Sequence, residues 1–353
     1  MTNKIYRLKK ASNQTLNAII PIIIAFIIGG IAIIISKNNP FNGYWILIKE
    51  SILNYKGFMK TLHYAGPLIL AGLAIGVSFK AGLFNMGIEG QIISSGFMVA
   101  VLGFRLSFLP SAILIPVLLL SGILTGMLIA LIPAFLKSKY NVNVMVVTLL
   151  LNYAIMELLE YLTSNVFRDP TSGYVSTNMI SQGAILSRLF GSKITLFFFI
   201  VVVAFVIIYI VMNKSKLGYE ITAIGKNKVF AEASGMNLKK KVIVIMLTSG
   251  ALAGLAGAGW MMSEKYAYTL SFSGIPGLGW DGMLISLLGN HSPIGILISA
   301  IFYAILKTGS TSIAIFTTIP AEIVAVIQAL IILFLSLKVY VKFKDRKKKA
   351  EEV

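Results

Sequence analysis

The sequence predicts an all-α polytopic membrane protein of about ten transmembrane segments arranged as two inverted halves. Three observations carry that prediction. The chain of 353 residues is 57% hydrophobic and only 12% charged, whereas a soluble domain of this length carries roughly 25% charged residues to clothe its surface. Lipid must therefore be the outer solvent. The apolar residues fall into runs near the ~20 residues that a helix needs to cross ~30 Å of hydrocarbon. A short acidic pattern recurs at matching places in the two halves.

Taken in order, the runs are Leu16–Ser36, Leu62–Phe79, Ile88–Phe104, Ser111–Leu136, Val144–Thr163, Ile194–Met212, Val242–Met262, Pro276–Gly289, Pro293–Thr308 and Ile319–Leu337. The eighth is too short to span comfortably. The first reads as an anchor and not a cleaved signal, because its apolar run is too long and no small-residue cleavage site follows. Orientation follows from the cations. They gather in residues 1–15, in the loop 214–241 and in the tail 338–353, with Lys137 and Lys139 after the fourth run. All of these read as cytoplasmic, and six and then four runs separate the three main clusters. The segment 37–61 has four lysines yet must lie outside. Phe41, Tyr44, Trp45, Leu47, Ile48, Ile52 and Leu53 give it the pattern of an amphipathic helix resting on the interface. Residues 164–193 and 263–275 form the larger outside regions.

Composition also excludes function classes. There is no cysteine, and His63 and His291 are the only histidines, so thiol chemistry and histidine-rich metal centres are out. The net charge of +18 sits between apolar runs, where it encodes topology and attraction to anionic lipid and not nucleic-acid binding. No nucleophile–base set is visible. No Gly-x-x-x-x-Gly-Lys-Ser/Thr loop occurs, so the chain does not hydrolyse ATP by that chemistry.

The recurring pattern is Gly87-Ile88-Glu89-Gly90 and Gly279-Trp280-Asp281-Gly282, each Gly, apolar, acid, Gly. The two lie in oppositely oriented halves, and glycine-broken segments at matching positions point to a midplane solute site. An acid at that depth costs about 2.5–3.5 kcal/mol on insertion scales, so it needs a cavity or a partner. Two roles stand open for Glu89 and Asp281: bracing the exposed backbone of a helix break, or touching solute. Phe84, Asn85, Asn152, Tyr153, Trp280 and Asn290 add aromatic faces and amides, which suit a ring-shaped polar solute; ordinary helix packing is the competing account for each. The glycine- and alanine-rich run 250–259 permits close helix packing. In the loop 214–241, a short helix is expected over Lys228–Ser234, capped by Asn227 and stopped by Gly235.

The run Phe79–Gln91 resembles the hallmark of ABC-importer permeases of the ribose and branched-chain amino acid type. Leu217-Gly218, Ala223–Asn227 and Ala231–Gly235 are similar to that family's coupling loop. Asn152-Tyr153, Gly274–Gly282, Leu287–Gly295 and Pro320–Gln328 resemble the nucleoside-uptake branch that works with a Bmp-type lipoprotein receptor. Thr222 departs from the pattern, since a basic residue is usual there. The resemblance implies a type II-like permease with no cofactor of its own. It implies a second, different permease chain, ATP-binding subunits that hold ATP and magnesium, and an external substrate-binding lipoprotein. It further implies a bacterial inner-membrane location with both termini cytoplasmic. Gly225, Asn227, Ala231, Glu232, Ala233 and Gly235 would couple to the ATPase, while Phe84, Asn85, Glu89, Asn152, Trp280, Asp281 and Asn290 would border the substrate pathway. The rival functions are an ion- or proton-coupled secondary transporter and an ABC permease for a simple sugar.

Overall fold

The computed structural model describes residues 27–31, 33–35, 37–274, 277–317 and 329. The expectations for the two termini and for the last apolar run lie outside them. Among the described residues the secondary structure is helical apart from three isolated bridges. The helices are α1 (Pro40–Ile48), α2 (Tyr55–Lys80), α3 (Ile88–Arg105), α4 (Ser111–Tyr140), α5 (Val144–Tyr161), α6 (Leu196–Lys214), α7 (Lys216–Lys226), α8 (Lys228–Ala233), α9 (Leu238–Trp260), α10 (Leu278–Leu288) and α11 (Pro293–Phe316). One π-helical turn follows α1, one prolongs α5 and one prolongs α9.

Among the described residues six helical stretches are long and apolar enough to cross a membrane, and α3 matches the third predicted run. The eighth run is the 11-residue α10. At 1.5 Å per residue it covers about 16 Å, half a bilayer, as its length in the sequence implied.

The chain divides into two compact units, residues 62–301 and residues 1–61 with 302–353. In the second unit, Leu47 of α1 packs against Gly309 of α11. Thr61 Oγ1 donates to the Ser51 carbonyl at 3.0 Å, which ties the start of α2 to the turn after α1.

The 62–301 unit holds the candidate site. Here α2 is almost wholly buried, whereas α4 and α6 turn most of their apolar surface outward, toward the expected lipid. α4 and α9 pack backbone to backbone. Gly126 lies against the Gly250 carbonyl, and a methyl group there would overlap it; Gly122 and Gly254 repeat the contact one turn along. This is the close approach that small residues permit in lipid, where packing and not hydrophobic transfer holds helices together.

α2 ends in a Schellman motif: Leu83 N donates to the Ser78 carbonyl and Gly82 N to the Phe79 carbonyl, with Gly82 at φ +70. The α10 helix ends the same way. His291 N donates to the Ser286 carbonyl and Asn290 N to the Leu287 carbonyl, with Asn290 at φ +53. Asn290 is thus a helix stop, because a short amide side chain tolerates the left-handed region.

Candidate functional site

The chain between α2 and α3 is an interrupted helix whose backbone is bound by buried side chains from elsewhere. Asn85 Oδ1 accepts from Gly87 N at 3.0 Å, and its Nδ2 donates to Ser249 Oγ at 3.1 Å. Ser249 in turn donates to the Ala74 carbonyl at 2.7 Å. Asn152 reaches in from α5. Its Oδ1 accepts from Gly90 N at 2.8 Å and its Nδ2 donates to the Met86 carbonyl at 2.6 Å. Thr148 Oγ1, one turn earlier on α5, accepts from Met86 N at 3.0 Å. These are the orphan amides and carbonyls that any helix terminus exposes, satisfied here by side chains.

The two acidic patterns meet. Glu89 Oε2 accepts from Gly279 N at 2.6 Å, and Glu89 Oε1 accepts from the Ser273 hydroxyl. A carboxylate at the first turn of α3 also faces the positive end of that helix's dipole, and Asp281 sits likewise in the first turn of α10. Gly279 must be glycine for this contact. A Cβ there would lie 2.7 Å from the Glu89 Cα and 2.9 Å from its Oε2. Glu89 and Asp281 are 5% and 1% exposed. Glu89 thus makes contacts of the kind the bracing role requires.

Asn85, Glu89 and Trp280 line one small pocket with Ile75, Met86, Ile88, Gly279 and Met283; its volume is about 10 Å³, room for a single water. Asp281 adjoins it in sequence, and Asn152 holds its rim. Of the seven expected residues, Phe84, Asn152, Asp281 and Asn290 do not line it. Phe84 is half exposed, edge-on to Phe79 at 5.0 Å, and Phe79 in turn lies 5.5 Å from the His291 ring. Asn290 is an exposed helix stop. Burial, and then the Lys80 ammonium, hold the His291 imidazole down at about 4, and Ser286 Oγ lies 3.0 Å from its Nδ1.

Thr148, Ser249 and Ser273 were not singled out from the sequence. For Thr148 and Ser249 a hydroxyl inside an apolar run is the only signal; Ser273, in the outside region 263–275, leaves none. Gln91 was read only as the last letter of the Phe79–Gln91 run. It is 0% exposed, and among the described residues neither amide atom has a hydrogen-bond partner, at a cost of about 1–3 kcal/mol per unsatisfied group. Also missed was a polar cluster on Glu264, whose carboxylate lies 3.3 Å from His63 Nε2, from Lys193 Nζ and from the Tyr64 hydroxyl.

The loop 214–241 holds α7 and α8. Asn227 Oδ1 accepts from Phe230 N at 3.0 Å, which caps α8 as expected. Gly235, at φ +82, ends the helix in a third Schellman motif: Met236 N donates to the Ala231 carbonyl and Gly235 N to the Glu232 carbonyl. Gly225 presses on the Lys80 carbonyl, which joins this loop to the end of α2. Glu220 pairs with Lys241 at 2.6 Å, holding α7 to α9. Ala231 is buried, so it seats α8 on the fold. Glu232, Ala233 and Gly235 are exposed. The large apolar groups that α8 presents outward are Val229 and Phe230, 77% and 59% exposed, which the sequence reading did not name.

Residues 57–336 match the family described as branched-chain amino acid transport system / permease component. The chain is 32% identical over 328 residues to the glucose ABC transporter permease protein TsgB13 of Haloferax volcanii, covering 90% of this chain and 86% of the relative. It is 32% identical over 349 residues to the guanosine ABC transporter permease protein NupP of Bacillus subtilis, covering 95% and 96%. It is 31% identical over 355 residues to the nucleoside ABC transporter permease protein NupB of Lactococcus lactis, covering 96% of each. A multi-pass helical chain matched over this extent belongs to the ABC-transporter permease family of that description, the permease component of branched-chain amino acid transport systems.

Proposed function

We propose that this chain is the translocating subunit of an ATP-driven importer of nucleosides, working by alternating access. The observation that carries the substrate is the likeness over nearly the whole chain to two relatives named for guanosine and nucleosides. The site chemistry agrees with it. Amide and aromatic side chains, Asn85, Asn152, Phe84 and Trp280, surround a helix break, and such groups bind a flat heterocycle by stacking and hydrogen bonds. In this reading Phe84, Asn85, Glu89, Asn152, Trp280, Asp281 and Asn290 border the route, and the small pocket at the break opens as α2, α3 and α10 separate.

ATP and magnesium belong to partner ATP-binding subunits. Their stroke enters through Gly225, Asn227, Ala231, Glu232, Ala233 and Gly235, with the exposed Val229 and Phe230 as the gripping face. A second, different permease chain completes the pathway. Its support is that both organisms with a nucleoside or guanosine relative also have a second such permease, NupC and NupQ, similar to this chain over 69% of its length. An external binding lipoprotein delivers the solute to an inner-membrane complex whose termini and 214–241 loop face the cytoplasm.

The test is uptake of labelled guanosine, adenosine and glucose by the complete transporter in proteoliposomes loaded with ATP. Nucleoside uptake that needs ATP hydrolysis and survives a protonophore supports the reading. Glucose uptake alone favours the sugar alternative, for which the relative TsgB13 speaks. Uptake driven by an ion gradient without ATP overturns the ABC mechanism.

A further inference from the structure

Gln91 stands apart from the other polar side chains of the break. Asn85, Asn152, Thr148 and Glu89 each hold backbone or hydroxyl groups, whereas the wholly buried Gln91 amide has no partner for its nitrogen or its oxygen among the described residues. It lies at the break and not in the packed part of α3. The point where a Cβ on Gly87 would sit is 3.4 Å from Gln91 Nε2, 3.1 Å from Asn85 Oδ1 and 3.2 Å from Thr148 Cβ. A buried amide without partners is less stable than an apolar side chain of the same shape would be. Local costs of this kind concentrate where a residue works in another state of the protein.

We propose that Gln91 is the solute-recognition residue of the break, reading the hydrogen-bonding edge of a heterocyclic base once the break opens. A primary amide presents a donor and an acceptor side by side, which matches the paired acceptor and donor on the edge of adenine. It also matches the other nucleobases that offer one of each. The sugar is then not the discriminating part of the solute. This inference rests on the nucleoside reading above.

The experiment uses the complete transporter in proteoliposomes, with guanosine and adenosine competing, beside thermal unfolding of the permease in detergent. Gln91→Leu should lower uptake of both about tenfold, the worth of a bidentate amide–base contact, while its Tm stays level or rises. Gln91→Glu replaces donor and acceptor by two acceptors, which fit the paired N–H groups of guanine and not the edge of adenine. It should move the guanosine-to-adenosine ratio about tenfold toward guanosine. A merely structural glutamine would not change that ratio. An unchanged ratio in Gln91→Glu overturns the inference, as does a lowered Tm in Gln91→Leu, which would mean the amide already has a structural partner. Should the Glu variant fail to fold, Gln91→Leu decides. Wild-type uptake with an unchanged ratio defeats this inference alone. Absence of nucleoside uptake by the wild type defeats the nucleoside reading and this inference together, before any substitution is made.

Discussion

Replacing Glu89 separates a brace from a solute contact. Its carboxylate accepts two hydrogen bonds in a buried setting, from Gly279 N and from the Ser273 hydroxyl. Bonds to a charged acceptor are worth about 1.5–3 kcal/mol each, a gross loss of about 3–6 kcal/mol in Glu89→Ala. Removing a buried charge returns part of that through relieved desolvation, so the net cost is about 3 kcal/mol. At about 2–4 °C per kcal/mol the Tm should fall by roughly 6–12 °C. In Glu89→Gln the carbonyl still accepts from Gly279 N, and the new NH₂ donates to Ser273 Oγ, whose hydroxyl can turn to accept. Only the charge assistance goes, about 1 kcal/mol, so the Tm should stay within roughly 4 °C of wild type and uptake should persist. The assay is thermal unfolding in mild detergent, read by the monodisperse fraction, beside uptake in proteoliposomes. The brace is refuted if Gln destabilises as much as Ala, or if Ala leaves the Tm unmoved. Normal folding with lost uptake in Glu89→Gln would instead make the carboxylate a solute contact.

Two further outcomes follow. His291 is held neutral, its pKa depressed from 6.5 to about 4 by burial and Lys80. Between those values the unfolded chain binds a proton that the native chain does not, so this contribution to stability is whole above about pH 6.5 and shrinks as pH falls toward 4. His291→Asn, which tolerates the φ of +55 there, should lose less Tm than wild type between pH 7 and pH 5; parallel losses would refute the assignment. The double change Val229→Ala with Phe230→Ala removes exposed groups. It should leave the Tm within about 2 °C while weakening ATPase docking at least tenfold, since a buried aromatic anchor at an interface is worth about 2 kcal/mol or more. Solute-stimulated ATP hydrolysis at wild-type level would refute the docking face.

What the sequence disclosed and what it hid divide along one physical line. Apolar runs and caps are local, so α2 to α6 and α9 to α11 could be read in order, and α8 came with its Asn227 cap and Gly235 stop. The pairing of Glu89 with Gly279 spans 190 residues and that of Asn152 with Gly90 spans 62; a single sequence marks no such partner. The recurrence of Gly-x-acid-Gly showed that the two places matter without showing that they touch. Asn290 was read by its side chain, but its backbone dihedral decides its job, and only the Schellman hydrogen bonds reveal that. Six residues of α8 are too few for a periodic pattern to tell buried Ala231 from exposed Val229 and Phe230.

The long reach of the Glu89–Gly279 bond has a consequence for biogenesis. A ribosome adding about 5–20 residues per second needs roughly 10–40 s to make the 190 residues between them. During that interval α3 has been synthesised and its acid has no Gly279 amide to meet. A buried carboxylate without its partners costs several kcal/mol, so the contact that closes the break forms only when α10 has emerged and docked. The break is then completed only after most of the chain exists.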